Sequence, residues 1–158
     1  MSMTFEKRTE KTFENAHEEL KKNLMERGFG VLWEMNFKDK LTEKGLEFHK
    51  NFQVMEVCNP PKAKIVLDAH LEAGYMLPCK MVIFEKEDGV HIGMMKPTKL
   101  ADIMEGIDLG NVALEVENIL KDAIEKTVKK AKKKKLFPFQ LLEEAVSSLW
   151  NIQLKSES

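Results

Sequence analysis

The spacing of apolar residues changes period at Gly28, and that change constrains the fold more than any other feature of the chain. Before it, Phe13, Ala16, Leu20 and Leu24 recur at three- and four-residue intervals. That is the stripe of a helix with Thr12 as N-cap and Gly28 as C′ residue. After it, Phe29, Val31, Trp33, Met35 and Phe37 alternate with Gly30, Leu32, Glu34 and Asn36, which reads as a strand with one buried face. Helix and strand must then share an apolar layer.

The same punctuation continues along the chain. A first strand is expected near Met3–Arg8, anchored by Phe5, and Asn36 is placed to cap a short helix over 38–44 closed by Gly45. A strand over 52–58 must stop at Pro60-Pro61, because proline has no N–H for a sheet ladder. Proline suits the first position of a helix, so Asn59 as cap and Pro60 as N1 open a helix running to about Gly74. Two apolar runs, 81–86 and 90–95, flank Glu87-Asp88-Gly89 as a hairpin. Pro97 opens a short helix. A longer helix from Asn111 carries Val112, Val116, Ile119, Leu120, Ala123, Ile124 and Val128 on one face. The order β-α-β-α-β-α-β-β-α-α predicts an α+β fold: a mixed, largely antiparallel sheet of about five strands with helices packed on one face.

Residues 1–135 are expected to form a single domain. Residues 136–158 form an accessory amphipathic C-terminal helix, in which Leu141, Leu142, Ala145, Val146, Leu149 and Trp150 make the apolar stripe. Charge divides at the same place. Residues 1–128 hold 18 Lys and Arg against 23 Asp and Glu, whereas residues 129–158 hold seven Lys against three Glu. The body is therefore a poor nucleic-acid surface, and any affinity for anions belongs to the tail. The lysines 129–135 complement the dipole of the preceding helix, and the tail helix 136–150 is expected to dock on the domain or on a second subunit. A membrane anchor is the weaker reading, because the stripe is short and has no lysines within it. No apolar stretch approaches the ~20 residues of a membrane span. The charged N-terminus has no signal-peptide core, and two cysteines without a secretion signal suggest reduced thiols, so a cytoplasmic location is expected.

The ordered phrases Cys58-Asn59-Pro60-Pro61 and Leu77-Pro78-Cys79, with Thr12-Phe13-Glu14-Asn15-Ala16 and Gly28-Phe29-Gly30-Val31-Leu32 before them, resemble the domain of unknown function family 302 over about residues 3–128. The resemblance implies a small α+β domain that is dimeric in relatives, and it implies no activity. The tail lies outside the pattern.

Cys58 directly precedes a helix start, where unpaired N–H groups and the helix dipole favour an anion and would lower a thiol pKa. Cys79 would then act as its resolving thiol or as a second ligand. Against this, free cysteines are usually small buried hydrophobes, and a spacing of about 20 residues is no established motif. Candidate reactive or ligand-contacting residues are Cys58, Asn59, Pro60 and Cys79. A metal site using Cys58, Cys79, His70 and His91 is disfavoured, since His70 lies over three helical turns from Cys58. No phosphate loop, GxSxG elbow or HExxH is present, so neither a catalytic set nor a cofactor is expected. The methionines Met76, Met81, Met94 and Met95 near the hairpin suit a core or an adaptable pocket. Two readings follow. The first is a ligand-binding or interaction domain, dimeric and without a reaction; the second is a thiol-based redox or sulfur-handling protein using Cys58 with Cys79.

Overall fold

Local signals set most of the element boundaries. In the computed structural model, which describes residues 2–130 and 138–156, Thr12 accepts a hydrogen bond from the Asn15 N–H at 3.2 Å and opens α1 (Phe13–Met25). Gly28 follows with φ +80°, a conformation that costs other residues strain. Asn36 accepts from the Lys38 N–H at 3.1 Å and opens α2 (Phe37–Glu43). Asn59 does the same for Lys62 at 3.2 Å, opening α3 (Pro60–Ala69) with proline in its first turn. The strands are β1 (Thr4–Thr9), β2 (Gly30–Asn36), β3 (Phe52–Cys58), β4 (Cys79–Lys86) and β5 (Gly89–Met95). α4 (Pro97–Ile103), α5 (Val112–Val128) and α6 (Pro138–Ser156) complete the order.

The sheet order is β1-β5-β4-β3-β2. Every pairing is antiparallel, so the sheet is not mixed as expected from the sequence. Met55, Met81 and Met94 stand opposite one another across three strands, as do Ile83 and Ile92 on the last two. These side chains bury against Leu20 and Leu24 of α1 and Leu120 and Ile124 of α5, which form the helical layer. Hiding one such side chain contributes about 1.5–3 kcal/mol, so this single layer supplies most of the driving force. Asn23 and Thr127 join the two helices inside it through a 2.9 Å hydrogen bond, and Thr127 donates in turn to the Ala123 carbonyl.

Two expectations fail for reasons of register. The alternation from Phe29 to Phe37 does not hold one face, because the β2–β3 register shifts between Val31 and Trp33. A bulge adds one residue and reverses the side-chain parity beyond it. Phe29 is buried, but Trp33 is half exposed. Glu34 takes the helix side instead, paired with His17 at 2.7 Å and Lys21 at 3.1 Å. The helix expected to reach Gly74 ends at Ala69, and a 3₁₀ segment follows over Leu71–Met76. Since Val57 of β3 lies opposite Cys79 of β4, the chain must return to the strand end that it has just left. A ten-residue helix carries it ~15 Å away, and the 3₁₀ turn brings it back.

α4 is closed from a distance. Its N-cap position, Lys96, gives no side-chain bond. Buried Glu117 of α5 instead accepts from the Thr98 N–H at 3.1 Å and pairs with Lys121 at 2.7 Å. In α6 the described side chains from Glu143 to Gln153 are exposed, including Val146, Leu149, Trp150 and Ile152. The lysine run from residue 131 onward and Leu136-Phe137 lie outside the described residues, as do the side chains of Leu141 and Leu142. Among the described residues no helix is long and apolar enough to cross a membrane.

Candidate functional site: an apolar cavity beside both cysteines

The end of β3, the start of β4 and the excursion between them converge on one place. Cys58 is the last residue of β3 and Cys79 the first of β4. Between them α3 leaves, the 3₁₀ turn returns, and the Leu77–Pro78 peptide is cis. α4 and the first turns of α5 close over this corner. They leave a cavity of about 60 Å³, open on one side and walled by apolar groups such as Phe29, Val57, Val66, Met76, Val112 and Val116.

Both thiols are on its wall, together with Asn59; Pro60 starts the helix but does not line the space. Three of the four sequence-selected residues therefore meet at one cavity. The cysteines are free. Burial pushes the Cys79 thiol up to about 11, and the neighbouring Cys58 adds to the rise. Burial raises Cys58 as well, the opposite of the direction expected for a thiol before a helix start. The cause is local. Pro60 and Pro61 carry no N–H, the Lys62 N–H is taken by the Asn59 side chain, and the Ala63 N–H by the Asn59 carbonyl. No helix-start donor is left for a thiolate.

Three participants escaped the sequence reading. Lys62 and Lys80 line the cavity, and Glu115 of α5 holds the Lys62 ammonium at 2.8 Å. Lys62 was findable, as the third residue of a helix whose start Asn59 marks. Lys80 and Glu115 depend on tertiary placement.

The two histidines weighed as ligands go elsewhere. His70 is the extended residue that ends α3. His91 lies on the sheet surface away from α1 and α5, between Glu6 (Nδ1–Oε1 2.7 Å) and Asp88 (Nε2–Oδ1 2.8 Å). It stacks on Phe84, which stacks on Phe52, with Phe37 edge-on beyond. The hydrogen bond from His91 leads the effects that hold the Asp88 carboxyl below the usual range. Among the described residues no three His, Cys, Asp or Glu side chains come together as metal ligands.

Comparison with known proteins places this corner in context. Residues 5–127 match the model of the family described as Domain of unknown function DUF302. A crystal structure of an uncharacterized conserved DUF302 protein from Bacillus stearothermophilus is similar at 34% identity and a TM-score of 0.77, covering 82% of this chain and 100% of that one. No curated protein matches. The matched span takes in the residues that line the cavity, both cysteines included, while α6 lies beyond it: the chain belongs to the DUF302 family.

Proposed function

We propose that this is a small cytoplasmic binding domain, dimeric and without a reaction of its own, that takes an apolar ligand into the cavity beside Cys58 and Cys79. The observation that carries this reading is the cavity itself: concave, walled by apolar side chains and open at one side, the form that small-molecule sites take. Hydrocarbon gains by leaving water for an apolar space of this kind. The test is a titration with octan-1-ol followed by heteronuclear NMR. Resonances of Ala63, Val66 and Val116 should move, and Ala113→Phe, which places a ring in the cavity, should suppress the shifts. Shifts of equal size in the filled variant would sink the reading.

One observation favours a second reading. Cys58 and Cys79 share a cavity wall at the ends of paired strands, where two thiols could be oxidised by an incoming disulfide to one intramolecular disulfide, releasing two thiols. Their raised pKa values make it the slower chemistry. The dimer is supported by the exposed Val146, Leu149, Trp150 and Ile152 of α6, whose apolar surface a second subunit would cover.

A further inference from the structure

α1 and α5 cover the side of the sheet that carries Met55, Met81 and Ile83, so the residues alternating with these point to the opposite face. There Met35, Val54 and Val82 stand in one row across β2, β3 and β4, and Phe52 and Phe84 stand together in the next. Trp33 lies beside them, 50% exposed. Val54 is buried, but Met35, Val82 and both phenylalanines are half-buried. This apolar floor is confined to the β2–β4 half. Toward β1 the face turns polar, with Glu6, Arg8 and His91. The same chain carries a second uncovered apolar surface. Val146, Leu149 and Trp150 recur along α6 at three- and four-residue spacing and are 62%, 66% and 69% exposed, the stripe of a helix that belongs against another layer.

We propose that α6 of a second copy of this chain lies on the β2–β4 half of the open sheet face, in a mutual exchange. Each chain gives one helix and receives one, so assembly closes at two. This deepens the dimer reading above and rests on it. Three observations favour the helix of a second copy. The stripe stays exposed while attached to its own body. The tail also leaves from the wrong edge: Thr9 at the end of β1 donates to the Val128 carbonyl at 3.4 Å, and Lys130 pairs with Glu10 at 3.5 Å. β1 and β2 are the two outer strands, ~19 Å apart at ~4.8 Å per strand. The area fits as well. A helix of 19 residues is ~28 Å long and ~10 Å wide. Two such seats at full contact bury roughly 1,100 Å² over both partners, the low end for a specific interface.

The experiment uses two full-chain variants, Trp33→Glu and Leu149→Glu, both at exposed positions outside the core. Each alone should weaken dimerisation at least about tenfold in sedimentation equilibrium. Their mixture restores one seat, the tail of the Trp33→Glu chain on the sheet face of the Leu149→Glu chain. With the Leu149→Glu chain isotope-labelled, adding the unlabelled Trp33→Glu chain should shift the NMR resonances of Met35, Val82 and Phe84. With the labels reversed, Val146 and Trp150 should move. A Trp33→Glu chain that dimerises like the parent overturns the exchange and leaves the dimer reading standing. So does a dimeric parent whose variant mixture shifts α6 alone or nothing. A parent chain that sediments as a monomer overturns both.

Discussion

Asn59 closes the start of α3 twice, through its side-chain oxygen on the Lys62 N–H and its carbonyl on the Ala63 N–H. At residue scale this decides what the neighbouring thiols can do. A thiol before a helix gains acidity from unpaired N–H groups, and here two prolines and one asparagine leave none, so burial sets both pKa values. With its pKa near 11, Cys79 carries a thiolate fraction of about 10⁻⁴ at pH 7, against a few per cent for a free cysteine. Iodoacetamide should therefore modify native Cys79 at least a hundredfold more slowly than a model thiol, the rate climbing tenfold per pH unit until unfolding intervenes. Cys58 should also lag the model thiol. Rapid modification of Cys58 at pH 7, abolished in Cys58→Ser, would restore the redox reading.

At the scale of elements, α4 depends on a residue 20 positions beyond its first proline. Burial pushes the Glu117 carboxyl up, but hydrogen bonds from Lys121 and from the Thr98 hydroxyl and N–H outweigh it, and the net shift is downward. A carboxyl held below its unfolded value contributes stability that is fully present above the ordinary range near ~4.3 and fades as pH falls through the folded value. Glu117→Ala should accordingly cost about 1–3 kcal/mol in urea unfolding at pH 7, the scale of a buried donor left unpaired. The gap to the parent should narrow below pH 4; a gap constant from pH 7 to 3 would show that packing and not the carboxylate is responsible. No sequence pattern announces this cap, because Lys96 at the capping position is silent and the partner arrives from another helix. The contrast with Thr12, Asn36 and Asn59 is instructive. Those caps act within three residues and were legible, as were Gly28 and the Glu87-Asp88-Gly89 turn. The bulge at Val31–Trp33 and the early end of α3 were not, because both answer to strand register. The candidate site was legible to the same extent: Cys58, Asn59 and Cys79 stand beside local punctuation, whereas Lys80 joins the cavity wall through the register of β4 and Glu115 meets Lys62 through the docking of α5.

For the whole molecule, the sheet has one face under α1 and α5 and another that carries Trp33, the Phe52–Phe84–His91 stack and their charged rim. The family match ends at residue 127, before α6 begins, and the described side chains of α6 add exposed apolar surface beyond it. The described side chains of α6 are exposed and hold nothing in the body together, so removing residues 136–158 should leave the melting temperature within about 2 °C, less than a 1 kcal/mol change would produce. Assembly should respond differently. If the stripe of Val146, Leu149, Trp150 and Ile152 seats on a second subunit, sedimentation equilibrium at micromolar concentration should give a dimer for the full chain and a monomer for residues 1–135. Two monomers would refute the dimer. Two dimers would refute the role of the tail and shift the interface to the body, where the exposed ring of Trp33 would be the first residue to replace.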